Sequence, residues 1–176
     1  MNACPKSRHS GFSLIELLIG IAILAILAGI ALPSFQTWFK NTQIRNAAES
    51  IVNGLQRARA EAVARNTNVA FVLGAGSSWT VSVVAPASVI ESRSSSEGSK
   101  DVAVTALAAD FATTATTLTF NNFGGAVASV TSLTRVNLSA LGGTQNLRVE
   151  IGAGGSNVRM CDPSLTVGSS PRACLI

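Results

Sequence analysis

Gly11-Phe12-Ser13-Leu14-Ile15-Glu16, with the apolar run that follows it to Leu32, decides how the rest of this chain is read. Residues 12–32 include a single charged side chain, that of Glu16. At about 1.5 Å of rise per residue, a helix of that length covers roughly 30 Å, the thickness of a bilayer's hydrocarbon core. A carboxylate near the start of such a run costs on the order of 3 kcal/mol on insertion scales. Its presence therefore calls for a partner. A secretory signal peptide explains the basic start (Lys6, Arg8, with His9 beside them) but not the rest. The run exceeds an h-region of about 7–15 residues, and no small-residue cleavage site closes it. Ala31-Leu32-Pro33 leads straight on to Phe35, Trp38 and Phe39. A plain signal anchor fits the length and leaves Glu16 unexplained.

The segment from Lys6 to Leu17, Lys-Ser-Arg-His-Ser-Gly-Phe-Ser-Leu-Ile-Glu-Leu, resembles the class III leader and N-terminus shared by type IV pilins and type II secretion pseudopilins. The resemblance implies that a membrane prepilin peptidase cuts after Gly11 and methylates the new N-terminal Phe12. It makes Glu16 the fifth mature residue and Pro33 the proline that kinks the helix. A physical role for Glu16 follows. When subunits leave the bilayer for a filament, a carboxylate one turn from Phe12 can reach the terminal ammonium of a neighbour. Pairing offsets much of the cost of burying either charge, so Glu16 would set the axial register.

Working outward, the 176 residues allow an anchor and one domain. Charged residues make up only 12% of the chain, a mix suited to an exported β-rich domain. The net charge is +4, but Lys6 and Arg8 belong to the expected leader. The mature chain then carries 11 basic and 9 acidic residues, which makes the high pI weak evidence for a nucleic-acid partner. Cys4 would leave with the leader. Cys161 and Cys174 remain, and two thiols in an exported domain read as a disulfide. A metal site is disfavoured because the sole histidine, His9, lies in the leader.

Beyond Pro33, Ile44, Ala47, Ala48, Ile51, Leu55, Ala58 and Ala62 recur at helical spacing. Pro33 is expected to bend the helix and not end it. The helix should stop near Asn66. From there the pattern turns to short alternating strands. Val69-Ala70-Phe71-Val72-Leu73 and Trp79-Thr80-Val81-Ser82-Val83-Val84 form a hairpin, and Val89-Ile90-Glu91 is a short third strand. Residues 92–101 read as a polar loop. Val102-Ala103-Val104-Thr105, Leu118-Thr119-Phe120, residues 133–138, residues 146–151 and Val158-Arg159-Met160-Cys161 complete the set. The expected fold is α+β: a long N-terminal helix, transmembrane in its first half, on one antiparallel sheet or two small ones. The expected domains are a leader at 1–11, a transmembrane and filament-core segment at 12–39, and a head at 40–176. The head divides into an amphipathic helix at 40–66 and β-structure at 67–176.

The helix ending at residues 55–66, the Phe120-Asn121-Asn122-Phe123-Gly124 turn and the Cys161/Cys174 ending resemble the FimT/FimU minor pilins and the H-type pseudopilin, the ending most of all the FimU type. That resemblance implies a structural role in priming or capping a type IV pilus, with the head in the periplasm and the helix in the inner membrane. Partners would be other minor pilins, the major pilin and the prepilin peptidase. The alternative is the H-type minor pseudopilin of a type II secretion system.

No catalytic constellation stands out, no cofactor is expected, and the reading is not that of an enzyme. Gly152-Ala153-Gly154-Gly155 lacks the Lys-Ser/Thr of a phosphate loop and reads as a hairpin turn. DNA binding is the remaining activity. Some FimT-type pilins bind DNA through a C-terminal Gly-Arg-x-Arg. The aligned Ser156-Asn157-Val158-Arg159 keeps only Arg159. Arg135, Arg148, Arg159 and Arg172 are the DNA-contact candidates if they gather on one face; separate solvated arginines are the favoured reading.

Overall fold

The computed structural model describes residues 12–175, so Gly11 and the rest of the expected leader lie outside the described residues. The chain divides into two compact units, one ending at Gln36 and the other running from Thr37. Helix α1, Leu14–Ala64, runs through both.

In the first unit the helix is apolar on every side and exposed along its length. Its most apolar window meets the length and composition test for crossing a membrane. Pro33 lies inside α1, which continues through it as expected.

In the second unit α1 buries Ile44, Ala47, Ala48, Ile51, Leu55, Ala58 and Ala62 completely. These are the residues whose spacing predicted one apolar face. The helix ends at Ala64, two residues before the expected Asn66, because Asn66 adopts a left-handed φ of 52°. Asparagine tolerates that conformation, which turns the backbone and lets Thr67 N–H reach Ala62 O at 3.1 Å.

Eight strands follow: β1 Val69–Leu73, β2 Trp79–Val83, β3 Ser88–Arg93, β4 Val102–Leu107, β5 Thr117–Phe120, β6 Arg135–Ala140, β7 Leu147–Ile151 and β8 Val158–Cys161. They form two four-stranded antiparallel sheets, ordered β3-β2-β1-β5 and β4-β6-β7-β8. β1 and β8 match the expected limits. β3 is longer than expected and takes in Ser92 and Arg93, which the polar composition had assigned to a loop. Pairing with β2, with a register shift at Val81/Ser82, holds them in the ladder.

One core serves both sheets. Val69, Phe71, Val81, Leu118 and Phe120 of the first sheet and Val136, Leu138 and Val149 of the second join the buried helix row. The helix lies close to the first sheet because its contact residues are small. A Cβ on Gly54 would come within 2.8 Å of Phe71 and 3.0 Å of Trp79. Trp79, buried there, donates its Nε1–H to Ser50 Oγ at 2.7 Å. Three loops are tied back by polar contacts to the helix or to the turn that ends it. Asn41 Oδ1 accepts the N–H groups of Thr144 and Gln145, Arg59 donates to Ser156 O, and Asn122 donates to Asn66 Oδ1.

Candidate functional site

At the N-terminal end, Phe12 is exposed and Ser13 precedes the first helical residue. Ser13 Oγ accepts the backbone N–H of Glu16 at 3.3 Å. This is the Ser-x-x-Glu pattern of a capping box, in which the N-cap side chain satisfies one orphan amide of the first turn. Glu16 therefore sits where the positive end of the helix dipole favours a carboxylate. Sequence reasoning had given Glu16 a role toward a neighbour and missed this local one, although the spacing was readable.

At the other end of the chain, Cys161 and Cys174 are bonded, with Cα atoms 5.0 Å apart. The bridge joins β8 to the C-terminal segment, which also lies beside it through a parallel Asp162/Ala173 bridge.

Three of the four DNA-contact candidates come together. Register aligns Arg135 on β6, Glu150 on β7 and Arg159 on β8 in one row across the second sheet. Arg148 follows two residues before Glu150, on the same face. Glu150 is 5% exposed and is the centre of this row. Its Oε2 accepts Arg159 Nη2–H at 3.0 Å and Leu175 N–H at 3.3 Å. Arg148 Nη1 lies 3.7 Å from its other oxygen and Arg148 Nε donates to Asn137 Oδ1 at 2.8 Å. Arg159 also donates to Ala173 O at 3.1 Å. The guanidinium of Arg135 stacks 3.7 Å over the ring of Phe111. Burial, reinforced by the charge of Arg148 and opposed by Glu150, lowers the pKa of Arg135. Arg172 stays outside this row and exposed.

A buried carboxylate shared among arginines and a backbone amide is a structural knot. It holds residues 173–175 against the sheet next to the disulfide. One carboxylate oxygen of Glu150 and the two sulfurs lie within 4.8 Å of one another. Sulfurs joined in a disulfide are not thiolate ligands, so this cluster fits no metal as it stands.

Residues 152–157 join β7 to β8 through a short 3-10 turn, Ala153–Gly155, in which Gly154 and Gly155 both have φ of 68°. The turn borders an open apolar groove of about 650 Å³, also lined by Phe111, Val127, Val130 and Leu133. The hairpin-turn reading of this glycine run is what the backbone adopts.

Comparison with known proteins agrees with these features. Residues 6–32 match the prokaryotic N-terminal methylation motif, and residues 47–155 match the family described as type II transport protein GspH. The type IV major fimbrial protein FimA of Dichelobacter nodosus is 49% identical over 39 residues, covering 22% of this chain and 25% of that protein. A fimbrial protein of Pseudomonas aeruginosa is 44% identical over 55 residues, 31% of this chain and 35% of the relative. The matches thus span about a quarter to a third of the length of these curated relatives. The crystal structure of the type IV minor pilin FimU from Pseudomonas aeruginosa is similar with a TM-score of 0.44 and 18% identity, over 69% of this chain and 94% of that one. With the GspH match running over more than half of its length behind a methylation motif, the chain belongs to the GspH family of type IV pilin and pseudopilin subunits.

Proposed function

We propose that this chain is a structural minor pilin that helps prime or cap a type IV pilus. In this reading residues 1–11 are a leader removed by prepilin peptidase, and Phe12 becomes the methylated terminus. Residues 12–39 cross the inner membrane and later join the filament core, with a bend at Pro33, while residues 40–176 form the periplasmic head. The other minor pilins and the major pilin are its partners. The observation that supports this best is the exposed apolar helix with Glu16 as the one charged residue between Phe12 and Leu32. A helix apolar all round gains nothing from water and needs lipid or other helices about it. Glu16 then supplies the register by meeting a neighbour's terminal ammonium.

The test is made in cells with an active prepilin peptidase. Mass spectrometry of the recovered chain is expected to find a methylated Phe12 at its start, and Glu16→Ala is expected to be processed but lost from sheared filaments. A chain that keeps its first eleven residues overturns the reading, as does normal filament incorporation of Glu16→Ala.

The second reading, an H-type minor pseudopilin of a type II secretion system, is favoured by the description of the family that residues 47–155 match. Deleting the chain separates the two: loss of pili supports the first, and loss of exported enzymes with pili intact supports the second. DNA uptake has less support, since Arg135, Arg148 and Arg159 are already engaged with Phe111, Asn137, Glu150 and Ala173. A salt-sensitive gel shift with the full chain in detergent would restore it.

A further inference from the structure

One end of the second unit, which starts at Thr37, carries exposed apolar and cationic side chains that neither the core nor the arginine row uses. Trp38 is 60% exposed and Phe39 48% exposed at the start of this unit. By helical periodicity they centre on the side of α1 away from the buried Ile44, Ala47 and Ile51. Asn41, two residues on, is fastened to the β6–β7 loop. Its Oδ1 accepts the Thr144 and Gln145 amides at 3.0 and 3.2 Å, and its Nδ2 donates to Thr144 Oγ1 at 3.0 Å. That fixed loop presents Leu141 at 97% exposure, the most exposed large apolar side chain of those described. Lys40 pairs with Asp101 at the entry to β4, so the exposed Lys100 stands at the same pole.

We infer that this pole, Trp38, Phe39 and Leu141 with Lys40 and Lys100 around them, seats in the phospholipid headgroup layer while the subunit waits in the membrane. The inference rests on the anchor reading proposed above and adds a second lipid contact to it. Length supports the depth. About 20 residues cross the hydrocarbon core. Counted from Phe12 they end near Leu32, and counted from Glu16, whose carboxylate is cheapest at the opposite interface, they end near Gln36. Either count leaves Trp38 and Phe39 in the first turns beyond the hydrocarbon, with side chains leaning back toward the helix N-terminus. Trp is enriched at that level because its ring is apolar and its N–H is polar. Lysines beside it suit phosphate oxygens. The β6–β7 loop, fastened to Asn41 within one turn of Trp38, brings Leu141 to the same end of this unit at little ordering cost.

The test uses the full chain in vesicles of phosphatidylethanolamine and phosphatidylglycerol whose acyl chains carry bromine at shallow or deep positions. The chain has two tryptophans, and Trp79 is buried, so subtracting the emission of Trp38→Phe isolates Trp38. A second reporter, Leu141→Trp in the Trp38→Phe background, samples the loop at a site exposed enough to accept it. Both reporters are expected to lose most of their emission to shallow bromines and much less to deep ones. Trp38 quenched best by deep bromines, or either reporter quenched only by aqueous acrylamide while the chain floats with the vesicles, overturns the inference and leaves the anchor standing. A chain that does not float after an alkaline wash overturns both.

Discussion

The two halves of α1 have the same backbone and opposite surroundings. Before Gln36 the helix is apolar on all sides and buries none of it; after Thr37 it is apolar on one side and buries that side to the last atom at seven positions. The second half meets its own sheets, and at Gly54, where Phe71 and Trp79 press against the helix, a side chain would not fit. On the anchor reading proposed above, the first half carries Leu and Ile in every direction because lipid or other subunits surround it. Uniform apolarity marks a helix whose partner is elsewhere, and a stripe marks one whose partner is on the same chain.

That contrast can be broken from either side. The largest stability loss should come from Phe71→Ala, which empties the contact beneath Gly54 and Trp79 and should cost the head about 3–5 kcal/mol in a denaturant titration. Membrane partition of the first half should not change. Next is the paired change Cys161→Ser with Cys174→Ser, which frees the segment closed over a separation of 13 residues and should cost about 3 kcal/mol in the chain-entropy account. Ser50→Ala leaves the buried Trp79 N–H without its acceptor and should cost about 1–3 kcal/mol, read as a lower melting temperature. The smallest effect is pH-dependent. The hydrogen bond and charge of Lys40 hold the Asp101 carboxyl below its ordinary pKa. A depressed carboxyl adds stability above its unfolded value and loses it as pH falls through the folded one, so the effect fades below about pH 4. Asp101→Asn should remove that small contribution at neutral pH and leave stability in strong acid unchanged, so the acid limb flattens slightly. Glu16→Ala is the reverse case: filament incorporation should go while the melting of the head stays put.

The helix and most strands were legible because their signals are local. Ile44, Ala47, Ile51 and Leu55 repeat with the helical period, β1 is a short run of apolar residues, and β2 alternates with period two. Which strand lies beside which is a non-local matter. Nothing in Leu118-Thr119-Phe120 announces that β5 pairs with β1 instead of with its neighbours in sequence. The arginine row was hidden for the same reason. Alternation puts Arg148 and Glu150 on one face, but only the register across β6, β7 and β8 brings Arg135 and Arg159 to Glu150. The left-handed turn at Asn66 and the Ser13 cap were within reach of sequence rules and explain where α1 stops and starts.

The order of the strands has one more effect. β1, β2 and β3 lie in the first sheet, β4 in the second, β5 back in the first, and β6, β7 and β8 in the second again. The polypeptide is thus laced between the layers, and no single cut frees one sheet intact. The head should melt in a single transition, and neither layer can be excised or traded between relatives as a cassette. New surface must come from the loops, which change without unlacing anything.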